Sequence, residues 1–284
     1  MSAASGLGGS GALPVSRLRR LRANMIASFA TLLRTPRPSG RRIAWPPQRR
    51  LVLGAVIAVV VVFATMWLLD ARSLTSVRQL PPNVVAAFER ITDFGLAGWF
   101  LWPVGLLLIA LAIADTAILP RFVHGVMAAL AVRLGFVFAA IAVPGLLVAI
   151  VKRLIGRARP PVDNESPWNY QLFVWRPEYA SLPSGHATTA FAAAIAIGAF
   201  WPRLRIVMWA YAAVIALSRV IVTAHHPSDV VVSAIVGTLG AVLVRNWFAA
   251  RRLGFVVTPE GGVRRLPGPS FRRIKAVARR LLSA

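Results

Sequence analysis

Apolar residues along this chain are gathered into long runs, separated by short segments that contain most of the charged side chains. Residues 51–69 and 94–114 contain no charged side chain, and each run is close to the roughly 20 residues that a helix needs to span a bilayer. Further apolar runs, shorter or interrupted by proline or arginine, cover residues 122–151, 187–201, 206–224 and 230–248. The pattern predicts an all-α, polytopic membrane protein with six transmembrane helices.

Composition agrees with a membrane protein rather than a soluble one. Hydrophobic residues make up 57% of the chain and the mean hydropathy is +0.66, which is too apolar for an ordinary soluble domain. We therefore expect one membrane domain over residues 51–248, with a basic tail at residues 1–50 and another at residues 249–284. The first tail is polar and rich in arginine, unlike a cleavable signal peptide. The chain has no cysteine, which excludes disulfides and thiolate metal sites.

The distribution of basic residues predicts the orientation in the membrane. The net charge is +24, with ten arginines in residues 1–50 and ten basic residues in 245–284. By the positive-inside rule both termini are cytoplasmic, and residues 152–186 and 218–229 lie on the extracytoplasmic side of the plasma or bacterial inner membrane. Anionic lipid at the cytoplasmic face is a simpler partner for these arginines than nucleic acid.

One group of candidate residues lies at the end of the third run, in the sequence KRLIGRARP. Lys152 and Arg159 are two helical turns apart and can project from one face, where two cations favour an anion. A snorkelling basic cluster at a helix end is the alternative. Lys152 is one of only two lysines in a chain with 33 basic residues, which favours a specific need for its compact charge.

A second group opens the fourth run, in the sequence LPSGHATTAF. Ser184 and Gly185 form a turn into a helix, whose free backbone N–H groups can hold a phosphate-like anion beside His186. The alternative is a serine-capped helix with an interfacial histidine.

The third group is the sequence SRVIVTAHHPSD at the end of the fifth run. Arg219 lies in an apolar span and is expensive there unless it meets an anion. Asp229 is spaced to orient His225 as a nucleophile or base, because a carboxylate can bind one imidazole nitrogen and leave the other free. The same aspartate could instead pair with His226, and spacing alone leaves both pairings open.

Taken in order, the three groups resemble the tripartite signature of the type 2 phosphatidic acid phosphatase superfamily. The match is Lys-x6-Arg-Pro, then Pro-Ser-Gly-His, then Ser-Arg-x5-His-x3-Asp, over residues 152–229. The resemblance implies that His225 is the nucleophile, that Asp229 orients it and that His186 is the general acid and base. It also implies a set of phosphate-binding residues: Lys152, Arg159, Ser184, Gly185 and Arg219. His226 occupies a variable position of the signature.

The resemblance implies a metal-independent membrane lipid phosphatase with a phosphohistidine intermediate and no cofactor. Three fixed cations do what a magnesium ion does elsewhere, and vanadate is expected to inhibit as a transition-state mimic. Aromatic residues of the 163–180 loop suit the lipid headgroup level. Undecaprenyl diphosphate is the first expected substrate, with phosphatidic acid, phosphatidylglycerol phosphate and lipid A phosphates behind it. A lipid phosphotransferase and a non-enzymatic protein that binds anionic lipid are the alternatives.

Overall fold

The computed structural model describes residues 42–114, 120–160 and 167–282, together with scattered positions before residue 42. Most of the predicted N-terminal tail and residues 161–166 of the aromatic loop therefore lie outside the described residues.

Helices dominate the described part of the chain, as predicted. A first helix, α1, runs Gln48–Thr65 and continues through a π-helical turn, Met66–Asp70, into α2, Ala71–Arg78. The remaining helices are α3 Pro82–Asp93, α4 Gly98–Ile113, α5 Arg121–Ile155, α6 Gly185–Phe200, α7 Arg205–Ile221, α8 Pro227–Ala250 and α9 Phe271–Leu282.

Five helical stretches of the described chain are long and apolar enough to cross a membrane. They are Gln48–Arg78, Pro82–Ile113, Arg121–Ile155, Pro202–Ile221 and Pro227–Ala250. The fourth predicted span corresponds to α6, which is apolar but has only 16 residues. The membrane fold is thus confirmed, and the crossing count of six stays a prediction.

The short helix α6 lies at the centre of the bundle, against α5, α7 and α8. Six of its alanines are buried, and small side chains allow neighbouring helices to approach closely. Gly237 of α8 shows how closely, since a Cβ added there would lie 2.5 Å from the backbone oxygen of Thr188 in α6. This packing sets the beginning of α6 directly beside the beginning of α8.

The C-terminal segment, predicted as a tail, contains a small hairpin that the all-α prediction did not include. Strand β1, Phe255–Val257, pairs antiparallel with β2, Val263–Arg265. Phe255 is buried against the rings of Phe136 and Phe200, with ring centroids 4.8 and 4.7 Å away. Alternation of buried and partly exposed positions in β1 lets the strand cover one end of the bundle. After it, α9 packs through Val277 onto the beginning of α5.

Candidate active site

The first signature block leaves α5 through Gly156, which makes a left-handed turn. Its φ is 60° and its N–H donates to the Lys152 oxygen at 3.1 Å, which ends the helix. A Cβ at this position would lie 1.6 Å from the Gln171 oxygen, so only glycine fits. The chain therefore turns sharply just after Lys152.

The following extended segment joins the first block to the second through backbone hydrogen bonds. The Arg159 N–H donates to the Glu178 oxygen at 2.8 Å, and the Ser181 N–H donates to the Arg157 oxygen at 3.1 Å. These bonds hold the chain before α6 against the chain after α5. Lys152 and Arg159 are thereby brought beside the second block.

The second block leads into α6, and Ser184 is the N-cap residue directly before the helix. The Ser184 backbone N–H donates to the Ser233 hydroxyl of α8 at 2.7 Å. The Ser184 hydroxyl is buried and has no hydrogen-bond partner within the described residues. Open space faces Gly185 within the described part of the chain, since beyond its own turn of helix no described atom lies within 4 Å of a Cβ added there. A hydroxyl and a helix beginning are thus available to an external acceptor.

The three predicted cations converge on His186, which is in the first turn of α6. The charges of Arg219, Lys152 and Arg159 all act on this imidazole, as does His225. The Nε atoms of Arg159 and Arg219 are buried with no hydrogen-bond partner in the part of the chain that the structure describes. Buried guanidinium N–H groups without a partner are costly. Together with the Ser184 hydroxyl they form a site suited to an anion.

The histidine that matches the nucleophile, His225, is buried at the turn between α7 and α8. Its Nδ1 lies 2.7 Å from the backbone oxygen of Ser181. A carbonyl can only accept, so Nδ1 carries the proton and Nε2 keeps a free lone pair. Burial lowers the pKa of His225 below its ordinary value, which favours this neutral form.

Asp229 lies next to His225 but does not hydrogen-bond to it. Its Oδ2 is 3.8 Å from the His225 Nδ1, beyond hydrogen-bond length. Oδ2 instead accepts from the Ser181 hydroxyl at 2.5 Å and from the backbone N–H of His226 at 2.9 Å. The carboxylate thus holds the residue whose carbonyl binds His225. It also binds His226 through its backbone N–H.

Two charged residues of this network were missed by sequence reasoning, Arg157 and Asp70. The fully buried Arg157 guanidinium donates to the Asp229 Oδ1 at 2.5 Å and to the Asp70 Oδ2 at 2.7 Å. Asp70 also accepts from the Ser228 hydroxyl at 2.6 Å. One signal was present: Asp70 directly follows the uncharged run 51–69, and an acid at the end of a span calls for a partner.

Thr92 was also missed, and the sequence contains no signal for it. Its hydroxyl oxygen accepts from Arg219 at 2.6 Å and from Ser218 at 3.1 Å.

As for metals, the described residues include no group of three or more His, Cys, Asp or Glu side chains suited to holding an ion.

This arrangement can carry out phosphoryl transfer to a histidine. The charges of Arg219 and Arg159 act on His225, whose Nε2 has a free lone pair, and Lys152 acts with them on the neighbouring His186 at the beginning of α6. A second histidine, His186, is in range of the first; burial and the neighbouring positive charges lower the pKa of His186 to about 3, so it gains a proton only when a bound anion offsets those charges. Positioning and charge stabilisation of this kind account for most of the catalysis of phosphoryl transfer.

Comparison with known proteins points to the same chemistry. A family model described as the PAP2 superfamily matches residues 133–253. The lipid A 1-phosphatase of Rhizobium johnstonii is 31% identical over 239 residues, which are 84% of this chain and 96% of that protein. That of Rhizobium etli is 31% identical over 72% of this chain and 88% of its own length. Decaprenylphosphoryl-5-phosphoribose phosphatase of Mycobacterium tuberculosis is 33% identical over 57% of this chain and 80% of its own length.

Two solved structures are also similar. LpxE from Aquifex aeolicus is 20% identical, with a TM-score of 0.44 over 62% of this chain and 93% of that chain. The transmembrane PAP2-type phosphatidylglycerolphosphate phosphatase from Bacillus subtilis is 20% identical, with a TM-score of 0.46 over 69% of this chain and 90% of that chain.

The sequence match to nearly the whole of the Rhizobium johnstonii protein confirms the family predicted from the signature. The chain therefore belongs to the PAP2 superfamily, whose members are metal-independent hydrolases, and is a membrane phosphatase of that superfamily.

Proposed function

We propose that this membrane phosphatase removes a phosphate group from a lipid through a phosphohistidine on His225. The observation that carries the proposal is the hydrogen bond from the His225 Nδ1 to the Ser181 oxygen, 2.7 Å long. It fixes the tautomer in which Nε2 is nucleophilic, beside the anion site formed by Lys152, Arg159 and Arg219.

The reaction proceeds in two balanced steps. In the first, the Nε2 lone pair attacks phosphorus, the bond from phosphorus to the lipid oxygen breaks, and His186, protonated when the phosphate anion offsets the neighbouring cations, gives its proton to that oxygen. In the second, neutral His186 takes a proton from water, the resulting hydroxide attacks phosphorus, and the bond from phosphorus to His225 breaks. Phosphate leaves and His186 is again protonated.

Asp229 acts mainly by charge and position in this mechanism. Once Nε2 is bonded to phosphorus and Nδ1 keeps its proton, the imidazole ring is cationic. A carboxylate 3.8 Å from Nδ1 stabilises that charge without a direct hydrogen bond. Its bond from the Ser181 hydroxyl also holds the carbonyl that orients the ring.

A lipid is the substrate class that the surroundings of the site support. Large aromatic side chains are exposed near the site, with Trp67, Phe173 and Trp175 at 77%, 70% and 70%. The ring centroid of Trp67, in the π-helical turn after α1, lies 6.5 Å from that of Trp168 in the loop. Such side chains settle at the headgroup level of a bilayer, so a lipid phosphate can reach the cations while its chains stay in the membrane.

Within that class, we expect a glycolipid phosphate of the lipid A kind as the substrate before undecaprenyl diphosphate. The relative aligned over 96% of its length is named for lipid A, and a relative named for an isoprenoid-linked phosphate aligns over 80% of its own.

The site faces the periplasm, both termini are cytoplasmic, and anionic lipid binds the basic C-terminal helix α9.

The test is phosphate release by the purified, detergent-solubilised protein from a panel of lipids with excess chelator. The panel contains lipid A, undecaprenyl diphosphate, phosphatidic acid and phosphatidylglycerol phosphate. We expect release that survives the chelator and is inhibited by vanadate. Activity that disappears in chelator and returns with magnesium would contradict the mechanism, and a phosphorylated lipid acceptor would indicate a phosphotransferase instead.

A further inference from the structure

A segment outside the three signature blocks also touches the site. It comprises residues 92–95, the last two residues of α3 and the first two of the connection to α4, and we refer to it as the 92–95 turn. Thr92 is buried, and its hydroxyl oxygen accepts a hydrogen bond of 2.6 Å from the Arg219 guanidinium. The same oxygen accepts from Ser218, the signature residue before Arg219, at 3.1 Å. Thr92 therefore binds both residues of the third block's Ser-Arg pair.

Gly95, at the other end of this turn, packs against His186. A Cβ added to Gly95 would lie 3.1 Å from both the Cβ and the Cδ2 of His186 and 2.6 Å from the Cγ2 of Ile215. Ile215 is 1% exposed, so it has no free space into which it could move. Any side chain at position 95 would press on the imidazole that is proposed to move the proton.

The turn is fixed to the bundle by two further hydrogen bonds. The Tyr211 hydroxyl of α7 donates to the Phe94 oxygen at 2.7 Å, and the Trp99 indole donates to the Asp93 oxygen at 2.9 Å. A group held in place by other contacts can orient a side chain that hydrogen-bonds to it. Arg219 hydrogen-bonds to Thr92 in this way, while its Nε has no partner within the described residues.

We propose that the 92–95 turn is a positioning element of the active site: Thr92 aims the Arg219 guanidinium at the phosphate, and Gly95 leaves the space in which His186 moves its proton. The proposal rests on the proposed function of Arg219 and His186. It adds to the catalytic machinery a segment that the signature does not contain.

The first test removes the Thr92 hydroxyl and keeps the shape of the side chain. In Thr92→Val, Arg219 loses its acceptor, and we expect orthovanadate to bind about tenfold more weakly by calorimetry, as the loss of one charged hydrogen bond predicts. Thr92→Ser keeps the acceptor and should bind vanadate within about threefold of wild type. Thr65→Val is the matched control, since the Thr65 hydroxyl donates to the Val61 oxygen one turn earlier in α1, at an exposed position, and it should bind vanadate normally.

A double-variant cycle separates positioning from a general structural effect. If Thr92 acts through Arg219, combining Thr92→Val with Arg219→Lys should weaken vanadate binding little more than Arg219→Lys alone. Multiplicative effects of the two substitutions would overturn the proposal. So would wild-type vanadate affinity in a folded Thr92→Val protein.

Gly95→Ala tests the other half of the turn and stands even where Thr92→Val fails to fold. Displacing His186 should slow release from a lipid phosphate at least tenfold, because an alkoxide must be protonated as it leaves. The burst of p-nitrophenol that accompanies formation of the phosphohistidine should fall much less, because that leaving group needs no proton, whereas hydrolysis of the intermediate needs His186 with either substrate. Equal slowing of the first step on both substrates, or no slowing, would contradict the role of Gly95. A wild-type protein that neither binds vanadate nor releases phosphate would refute the proposed function itself, whereas an active wild type matched by both Thr92→Val and Gly95→Ala would refute this inference alone.

Discussion

At the scale of single residues, the site depends on a fully buried charge network. Arg157 lies between the carboxylates of Asp70 and Asp229, and all three side chains are 0% exposed. Such a network has a large desolvation cost that only complete pairing offsets. Removing the one cation would leave two buried carboxylates without a counter-charge.

We therefore expect Arg157→Met to destabilise the protein by about 3–5 kcal/mol. Thermal unfolding in detergent measures this as a lower midpoint. Arg153→Met is the control, because the Arg153 side chain donates to the Trp175 oxygen at an exposed position, and its loss should cost less than about 1 kcal/mol. Equal unfolding midpoints for the two variants would refute the structural weight given to Arg157.

A second residue-scale prediction concerns acid. Burial lowers the pKa of both His225 and His226, whereas both return to about 6.5 when the chain unfolds. The unfolded state then binds protons first, so stability is complete above about pH 6.5 and is lost as the pH falls below that value. The unfolding midpoint should drop between pH 7 and pH 5, and less so in a His225→Gln, His226→Gln variant. A midpoint that rises on acidification would contradict the burial of these imidazoles.

The residues that sequence reasoning found are those whose chemistry is tied to local spacing. His186, His225 and Asp229 were predicted because motif and helix ends place them. Asp70 and Thr92 come from other helices and meet the signature only after folding, so no local pattern marks their partners. The direct bond expected between Asp229 and His225 also depends on tertiary detail, since the Nδ1–H donates its hydrogen bond to the Ser181 carbonyl instead.

At the scale of elements, the C-terminal hairpin shows where hydropathy patterns stop being informative. Strand β1 has three residues, too short and too close to a basic segment to separate from a polar tail. In the structure its Phe255 completes an aromatic cluster with Phe136 and Phe200. The segment after α8 is therefore part of the folded bundle.

We expect Phe255→Ala to cost about 3–5 kcal/mol, as for other buried phenylalanines. Phe271→Ala, at a position 78% exposed, should change stability by less than about 0.5 kcal/mol. Thermal unfolding of the two variants side by side checks the difference. A Phe255→Ala protein as stable as wild type would mean that the hairpin does not pack on the bundle.

At the scale of the whole molecule, the apolar runs predicted the membrane fold, and the distribution of basic residues predicted its orientation. The long apolar runs reappear as membrane-length helices, because a bilayer allows few alternatives to a helix. The sequence did not predict that α6 has only 16 residues. An apolar run looks the same whether the helix faces lipid and must span the bilayer or is surrounded by other helices and can be shorter. The orientation, from the excess of arginine in the tails, stays a prediction.

The lack of cysteine in the chain makes that orientation directly testable. A single cysteine placed by Trp175→Cys, in the loop near the site, should react with a membrane-impermeant maleimide in intact cells. A cysteine placed by Phe271→Cys, at the beginning of α9, should react only after the membrane is opened. Wild type is the unlabelled control, and the reverse pattern would invert the proposed topology.

The central claim is that His225 carries the phosphate, and trapping the intermediate tests it most directly. Wild-type protein mixed with a ³²P-labelled lipid phosphate and quenched in alkali should retain label, because a phosphohistidine resists base, whereas an acyl phosphate on Asp229 would not. His226→Ala should still be labelled, and a folded His225→Ala protein should not. Label that persists in His225→Ala, or that is lost in alkali from wild type, would contradict the account.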